Sequence, residues 1–284
     1  MQLRNARVWM RRSSFGSPPS SLANRRVLIT GASRGLGRSI AQVVAERGAD
    51  VALVARDGAA LEILAKELDG KAYPADLSDP AAVEALIGRV EADGPVDVLI
   101  NNAGVDHVGR FHEATPAQVR NLLQINLGAP MELCRQVIPG MVARGRGHIV
   151  NVSSMGAISQ GPGLTLYGAS KAGLSHFTAG IRGELRGKPV GTTLVQIGEV
   201  KTDMIDHIRA FGPARRTIER SIRWRMIPRE SLDPVAVSEA IAGAVERNRR
   251  HVIMPRNIVA MAKFTEFPRR VSELMLTGID QDRD

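Results

Sequence analysis

Between residues 26 and 254, short apolar runs alternate with longer stretches in which apolar residues return every three or four positions. The runs are Val27–Thr30, Val51–Val54, Lys71–Tyr73, Val96–Ile100, His148–Val152, Thr192–Ile197 and His251–Met254. Most show no polar alternation, which suits strands covered on both faces. After the first run Ile40, Val43 and Val44 begin an amphipathic helix that stops at Gly48. After the second, Asp57 is placed to cap a helix with apolar positions at Leu61, Ile63, Leu64 and Leu68. Strand and helix in alternation predict an α/β fold: a single-domain, doubly wound parallel sheet with helices on both faces and right-handed crossovers. No internal repeat or second domain is visible.

Composition narrows this picture. At 284 residues the chain is long enough for a sizeable core, and 44% hydrophobic content with 28 Gly and 4% aromatics suits a sheet of branched residues under Ala-rich helices. The one cysteine, Cys134, excludes an internal disulfide and a cysteine-rich metal site, and PMELCRQVI places it in a helix core. His107, His112, His148, His176, His207 and His251 lack ligand spacing, so surface or packing roles and no metal are expected. No apolar run reaches the ~20 residues that span a bilayer, so a soluble or at most peripheral, cytoplasmic protein is expected.

The net charge of +9 sits at the ends. Residues 1–26 hold six Arg and no acid, and residues 205–284 hold 15 Lys or Arg against 11 Asp or Glu. Residues 1–24 read as a basic tail; an Arg- and Ser-rich leader of this kind also suits organellar import.

Two motifs carry chemistry. Gly31, Ser33, Arg34, Gly35, Leu36 and Gly37 lie between the first strand and its helix, where glycines permit a tight turn and close approach of a diphosphate to a helix N-terminus. At the end of the second strand, where an acid would bond a ribose 2′-hydroxyl, stand Ala55 and Arg56. Arg56 with Arg34 suits a 2′-phosphate, so NADP(H) is favoured over NAD(H) provided that Asp57 caps its helix and does not turn inward. The second motif is Tyr167 and Lys171, four residues apart and so on one helix face. Bringing a phenol from about 10 to near 7 takes roughly 4 kcal/mol, the magnitude of one positive charge about 4 Å away at an effective dielectric of about 20. Such a pair can donate or accept a proton near neutral pH.

Together these residues make the chain, from about residue 25 to about residue 255, resemble the short-chain dehydrogenase/reductase family and its Rossmann-like fold. The spacing Gly31-x3-Gly35-x-Gly37 matches that family, Asp76-Leu77 resembles its adenine-contacting pair, and Asn101-Asn102-Ala103-Gly104 resembles its NNAG turn. Asn126 falls at its helix-bending Asn, and Ser154 lies 13 residues before Tyr167, an interval that selects it over Ser153. The resemblance implies that Tyr167 protonates a carbonyl oxygen and that Lys171 lowers its pKa while bonding the nicotinamide ribose. It also implies that Ser154 polarises the carbonyl and that Asn126 anchors a proton path. Val200 and Thr202 keep the frame that faces the nicotinamide. Ile197 stands where the family has proline, which is expected to loosen that loop. Dimers or tetramers are common in the family, so a homo-oligomer is expected.

By the same resemblance residues 203–230 form a substrate lid, with residues 256–284 a further amphipathic extension marked by Val271, Leu274 and Met275. From Arg209 to Arg229 there are seven Arg and one acid, Glu219, with Ile218, Ile222 and Met226 repeating every four residues. This reads as one basic amphipathic helix, either a solvated face with a packing stripe or a lid whose arginines meet an anion. An acidic membrane surface is one such anion. Trp224 is either a lid residue against an apolar substrate or a core residue of a short helix. The reading reached is an NADPH-dependent reductase of hydrophobic, lipid-like or 3-oxoacyl carbonyls, reversible to alcohol oxidation. The alternative is a non-catalytic NADP(H)-binding module at a membrane surface or in regulation. With few aromatics among the basic ends, nucleic-acid binding is not expected.

Overall fold

The four residues Val27 to Thr30 are all at most 1% exposed, so their strand can have no wet face. In the computed structural model, which describes residues 21–159, 161–224 and 229–255, that strand lies inside a seven-stranded parallel sheet. The strands are β1 (Arg26–Thr30), β2 (Asp50–Val54), β3 (Lys71–Ala72), β4 (Val98–Asn101), β5 (Gly147–Ser154), β6 (Val190–Ile197) and β7 (His251–Met254). Their order is β3-β2-β1-β4-β5-β6-β7, and β1 pairs with β2 and β4 in register from Val27↔Val51 and Val27↔Val98. The order reverses between β1 and β4, which opens a crevice at the C-terminal strand ends, where parallel sheets bind ligands.

Alternate residues of each strand feed two cores. Val27, Ile29, Val51, Leu53, Val150 and Val152 pack with α1 (Gly35–Glu46), α2 (Gly58–Glu67) and α9 (Pro234–Glu246). Leu28, Ala52, Leu99 and Ile149 pack on the other face with α3 (Pro80–Glu91), α5 (Ala129–Ala143) and α6 (Thr165–Glu184). Cys134 is buried in α5, and burial pushes its thiol up to about 12, so it packs and does not react. Local chemistry starts the helices: Asp57 Oδ1 accepts from Ala60 N at 3.0 Å, and Thr115 with Gln118 forms a capping box at α4 (Pro116–Leu123).

Several elements differ from the sequence expectation. β3 is only Lys71–Ala72, although Tyr73 N and Ala75 N, on either side of Pro74, still donate to Leu53 O and Ala55 O at 2.8 and 3.0 Å. In α2 the buried stripe is Leu61, Leu64 and Ala65, while Ile63 is 59% exposed because it lies about 200° around the helix from Leu61. Residues 21–24 belong with the domain and not with the tail: Leu22 is buried and Asn24 N donates to Gly48 O at 2.9 Å. The basic stretch is two helices, α7 (Asp203–Ala210) and α8 (Gly212–Arg223), because Phe211 is extended and Pro213 restarts the helix at its first turn. The rest of the expected tail, Met226 and the extension over residues 256–284 lie outside the described residues. Among the described residues no helix is long and apolar enough to cross a membrane.

Candidate active site

At the reversal point the glycine turn is built against the turn that follows β4. Gly31 and Gly35 have φ of +68° and +55°, the region that favours glycine. A Cβ on Gly37 would stand 2.0 Å from Gly31 O and 2.6 Å from Asn102 Nδ2. Asn102 Nδ2 in turn donates to Thr30 O at 3.0 Å, and Thr30 Oγ1 accepts from the amides of both Asn102 and Ala103 at 3.0 Å. Asn102 and Ala103 therefore brace the turn from behind. Gly35 looks across to Thr202, whose Cγ2 would lie 3.4 Å from an added Cβ. Ser33, Arg34 and Leu36 are at least partly exposed on the turn, and the first turn of α1 carries no acid. This bare, glycine-lined helix N-terminus fits a diphosphate.

The end of β2, where a ribose is expected, carries its own arrangement of charges. Arg56 is exposed after β2, and Asp57, which could have opposed a phosphate there, spends its carboxylate on the α2 cap. Asp76 accepts from Ser78 N and Ser78 Oγ at 2.9 and 2.8 Å. Those two bonds, and secondarily the Arg56 charge, hold its carboxyl below the usual range. Leu77 beside it is buried.

The chemistry expected of Asn126, Ser154, Tyr167 and Lys171 has its four side chains in one place. Asn126 lies in a π-helical turn, Gln124–Gly128, that joins α4 to α5 and turns its side chain inward. Its Oδ1 accepts from Val105 N at 2.9 Å, and its Nδ2 donates to Val105 O at 2.8 Å and to Ser170 Oγ at 3.1 Å. Gly104 closes the gap: a Cβ there would be 3.3 Å from Lys171 Nζ and 3.4 Å from Asn126 Oδ1. Ser154, at the end of β5, accepts from Gly156 N at 3.1 Å, while Ser153 is buried and bonded to Lys171 O and Ser175 Oγ at 2.9 and 2.8 Å. The serine that faces the phenol is thus Ser154.

One expectation is corrected here. The Lys171 ammonium donates to Val152 O at 2.9 Å and sits 5.9 Å from the Tyr167 ring centre. Burial pulls Lys171 down to about 8. For Tyr167 burial is the largest influence and raises its pKa; the Asp106 charge adds to the rise and the Ser154 hydroxyl opposes it. The folded chain therefore holds a protonated phenol, because desolvation of the anion outweighs the donors around it.

The loop after β6 is firmer than the missing proline suggests. Gly198 N donates to Met254 O at 2.8 Å, Leu232 N to Glu199 O at 2.7 Å and Lys201 N to Leu232 O at 3.0 Å. Val200 is buried in that bridge, with Thr202 just beyond it. Trp224 is not a core residue: it caps α8, is 65% exposed and lies 6.0 Å from the Arg220 guanidinium. Three residues at the site have no motif of their own. Thr30 acts through its hydroxyl, Val105 through its backbone N–H and C=O, and Asp106, 15% exposed, pairs with His207 of α7 at 3.0 Å. Among the described residues no group of three or more His, Cys, Asp or Glu is placed to hold a metal ion.

Comparison with known proteins agrees with this geometry. The family model for short chain dehydrogenases matches residues 25–211. A ketoacyl reductase of Nostoc sp., HetN, is 33% identical over 269 residues, covering 92% of this chain and 89% of its own. The probable oxidoreductase EphD of Mycobacterium tuberculosis is 35% identical over 251 residues, and the matched region, 84% of this chain, spans only 42% of EphD. Among solved structures, a short-chain dehydrogenase from Sphingobium yanoikuyae in complex with NADPH superposes with a TM-score of 0.74 at 29% identity, covering 92% of this chain and 98% of that one.

Proposed function

The chain belongs to the short chain dehydrogenase family of oxidoreductases, and on that premise we propose that it reduces a hydrophobic carbonyl compound with NADPH, reversibly. The observation that carries this reading is the convergence of Ser154, Tyr167 and Lys171 beside the glycine turn, with Gly104 set between Lys171 and Asn126. Gly31 to Gly37 would hold NADPH, with Arg34 and Arg56 toward its 2′-phosphate, and the bound cofactor would supply the hydride.

The residues do the rest. As the carbonyl carbon gains the hydride, the C–O π pair moves onto oxygen, and Ser154 and Tyr167 are the donors that meet the growing charge. Tyr167 gives its phenolic proton to that oxygen, producing an alcohol and a phenolate. The Lys171 ammonium, predominantly charged below about pH 8, favours the phenolate and stands on the route by which a proton returns past Asn126. Burial keeps the Tyr167 phenol protonated before reaction, the form that can donate to a carbonyl oxygen. The acyl preference follows from HetN, a ketoacyl reductase similar over nearly its full length.

The test is turnover of NADPH with lipophilic ketones, aldehydes and 3-oxoacyl thioesters by the full chain and by Tyr167→Phe. Activity that the variant loses by roughly 10²- to 10⁴-fold supports the reading. NADPH binding with no turnover of any of these compounds overturns it.

A further inference from the structure

Asp106 is the acid that the fold brings to the phenol. Three contacts fix it there. The residue before it, Val105, is clamped on both backbone groups by Asn126. Three residues on, Gly109 N donates to Gly163 O at 3.1 Å, just ahead of the helix that carries Tyr167. Asp106 itself bonds His207 Nδ1 through both carboxylate oxygens, at 3.2 and 3.0 Å, so the loop is joined to the first lid helix. The same lid meets Gly163 through Phe211, whose ring carbons would lie 2.8 Å from a Cβ there.

Asp106 is only 15% exposed at its side chain, whereas its partner His207 is 61% exposed. The carboxylate is thus the sheltered member of the pair, one residue past the Val105 clamp on Asn126 and two past Gly104 beside Lys171, while the imidazole lies toward solvent. Its charge acts on Tyr167, where it adds to the larger effect of burial. A second anion entering beside the phenol would meet that field with little water between them.

We propose that Asp106 is a specificity-determining residue that makes the site accept uncharged carbonyl compounds and turn away those with a carboxylate on the reacting carbon, while His207 holds it in place from the lid. This rests on the carbonyl-reducing reading above. Asp106 takes no part in proton or hydride transfer; it acts through the field at the position that the substrate's neighbouring group must occupy. The lid pair makes the selection depend on closure, because the carboxylate is aimed by a residue of the element that covers the substrate.

The matched probes are methyl phenylglyoxylate and free phenylglyoxylate, alike in the reacting ketone and different by one charge. The full chain with NADPH is expected to prefer the ester in kcat/KM by roughly tenfold or more, the scale of like charges several ångströms apart at an effective dielectric of about 20. Asp106→Asn should shrink that ratio at least several-fold by improving the acid, and Asp106→Glu, which keeps the charge, should retain it. A wild-type preference for the acid, or an Asp106→Asn variant that lowers both substrates equally and leaves the ratio unchanged, overturns the proposal. No turnover of either probe or of any other carbonyl by the wild type is a different result and would sink the reductase reading itself.

Discussion

Lys171 donates to the carbonyl of Val152 at 2.9 Å, so the helix that carries the Tyr167 phenol is tied by its own ammonium to the strand that carries Ser154. Together with the Ser153 bonds to Lys171 O and Ser175 Oγ, it fixes acid, amine and hydroxyl across two elements. Burial has brought the amine from 10.5 down to about 8. The charged form is therefore present below about pH 8 and lost above it, well before a solvated lysine would lose it. Reduction should be level below that pH and decline above it, as the charge that stabilises the phenolate disappears. Lys171→Arg keeps a cation at every accessible pH, so its residual activity should lack that decline. A pH profile that still breaks near 8 in this variant would assign the break to another group.

Cofactor choice depends on which charges face the ribose. Asp57 is committed to the Ala60 amide, leaving Arg56 unopposed by it. Arg56→Ala should weaken NADPH binding by roughly 10- to 100-fold, the worth of one or two charge-assisted hydrogen bonds, and change NADH binding about twofold at most. Titration by quenching or calorimetry checks this, and equal losses for the two cofactors would remove the case for NADPH.

The glycine turn allows a paired test. Gly37→Ala drives a methyl into Gly31 O at 2.0 Å, a backbone atom that cannot swing away, whereas Gly88 in α3 has nothing within 4 Å. The first change should destabilise by about 3 kcal/mol or more and weaken NADPH binding at least about tenfold. Gly88→Ala should leave binding alone and stabilise by about 0.5–1 kcal/mol through helix propensity. Thermal melts with and without NADPH separate the two outcomes. Normal binding by Gly37→Ala would move the diphosphate site elsewhere.

Acid sensitivity has a defined source in His148, buried in β5 with Nε2 at 2.8 Å from Thr193 Oγ1. Burial first, and Arg182 second, lower it from 6.5 to about 4. The unfolded chain takes up this proton at a higher pH than the folded one. Stability is thus intact above about 6.5 and falls as pH drops toward about 4, by an amount on the order of 2–3 kcal/mol. His148→Gln, which cannot titrate, should show a shallower loss in denaturant melts between those two pH values. An unchanged slope would place the acid sensitivity elsewhere.

How much of this could be read from residues alone follows from how local each cause is. Strands β1 and β5 lie close to the apolar runs seen in the sequence, because burial on both faces leaves an uninterrupted signature. The cap at Asp57 and the glycine spacing were legible for the same reason: their physics lies within a few residues. The lid was not. Ile218 and Ile222 have helical periodicity, yet the break at Phe211-Gly212-Pro213 splits the stretch, and Trp224 ends it in solvent. The state of Tyr167 was misjudged because an i,i+4 lysine is visible in sequence, whereas the burial that outweighs it is made by distant chain. Asp106 and His207, 101 positions apart, have no sequence signal that would pair them.

The placement of β1 has a consequence for biosynthesis. During synthesis it can acquire its partner β2 soon after it is made, but its other edge is met only by β4, some 70 residues later. Until those residues are made, the nascent chain carries a strand with an apolar centre, Val27 to Ile29, and one unsatisfied flank, a template for pairing with a neighbouring polypeptide. Production of this protein should therefore benefit from slower translation or from holdase chaperones that shield the segment.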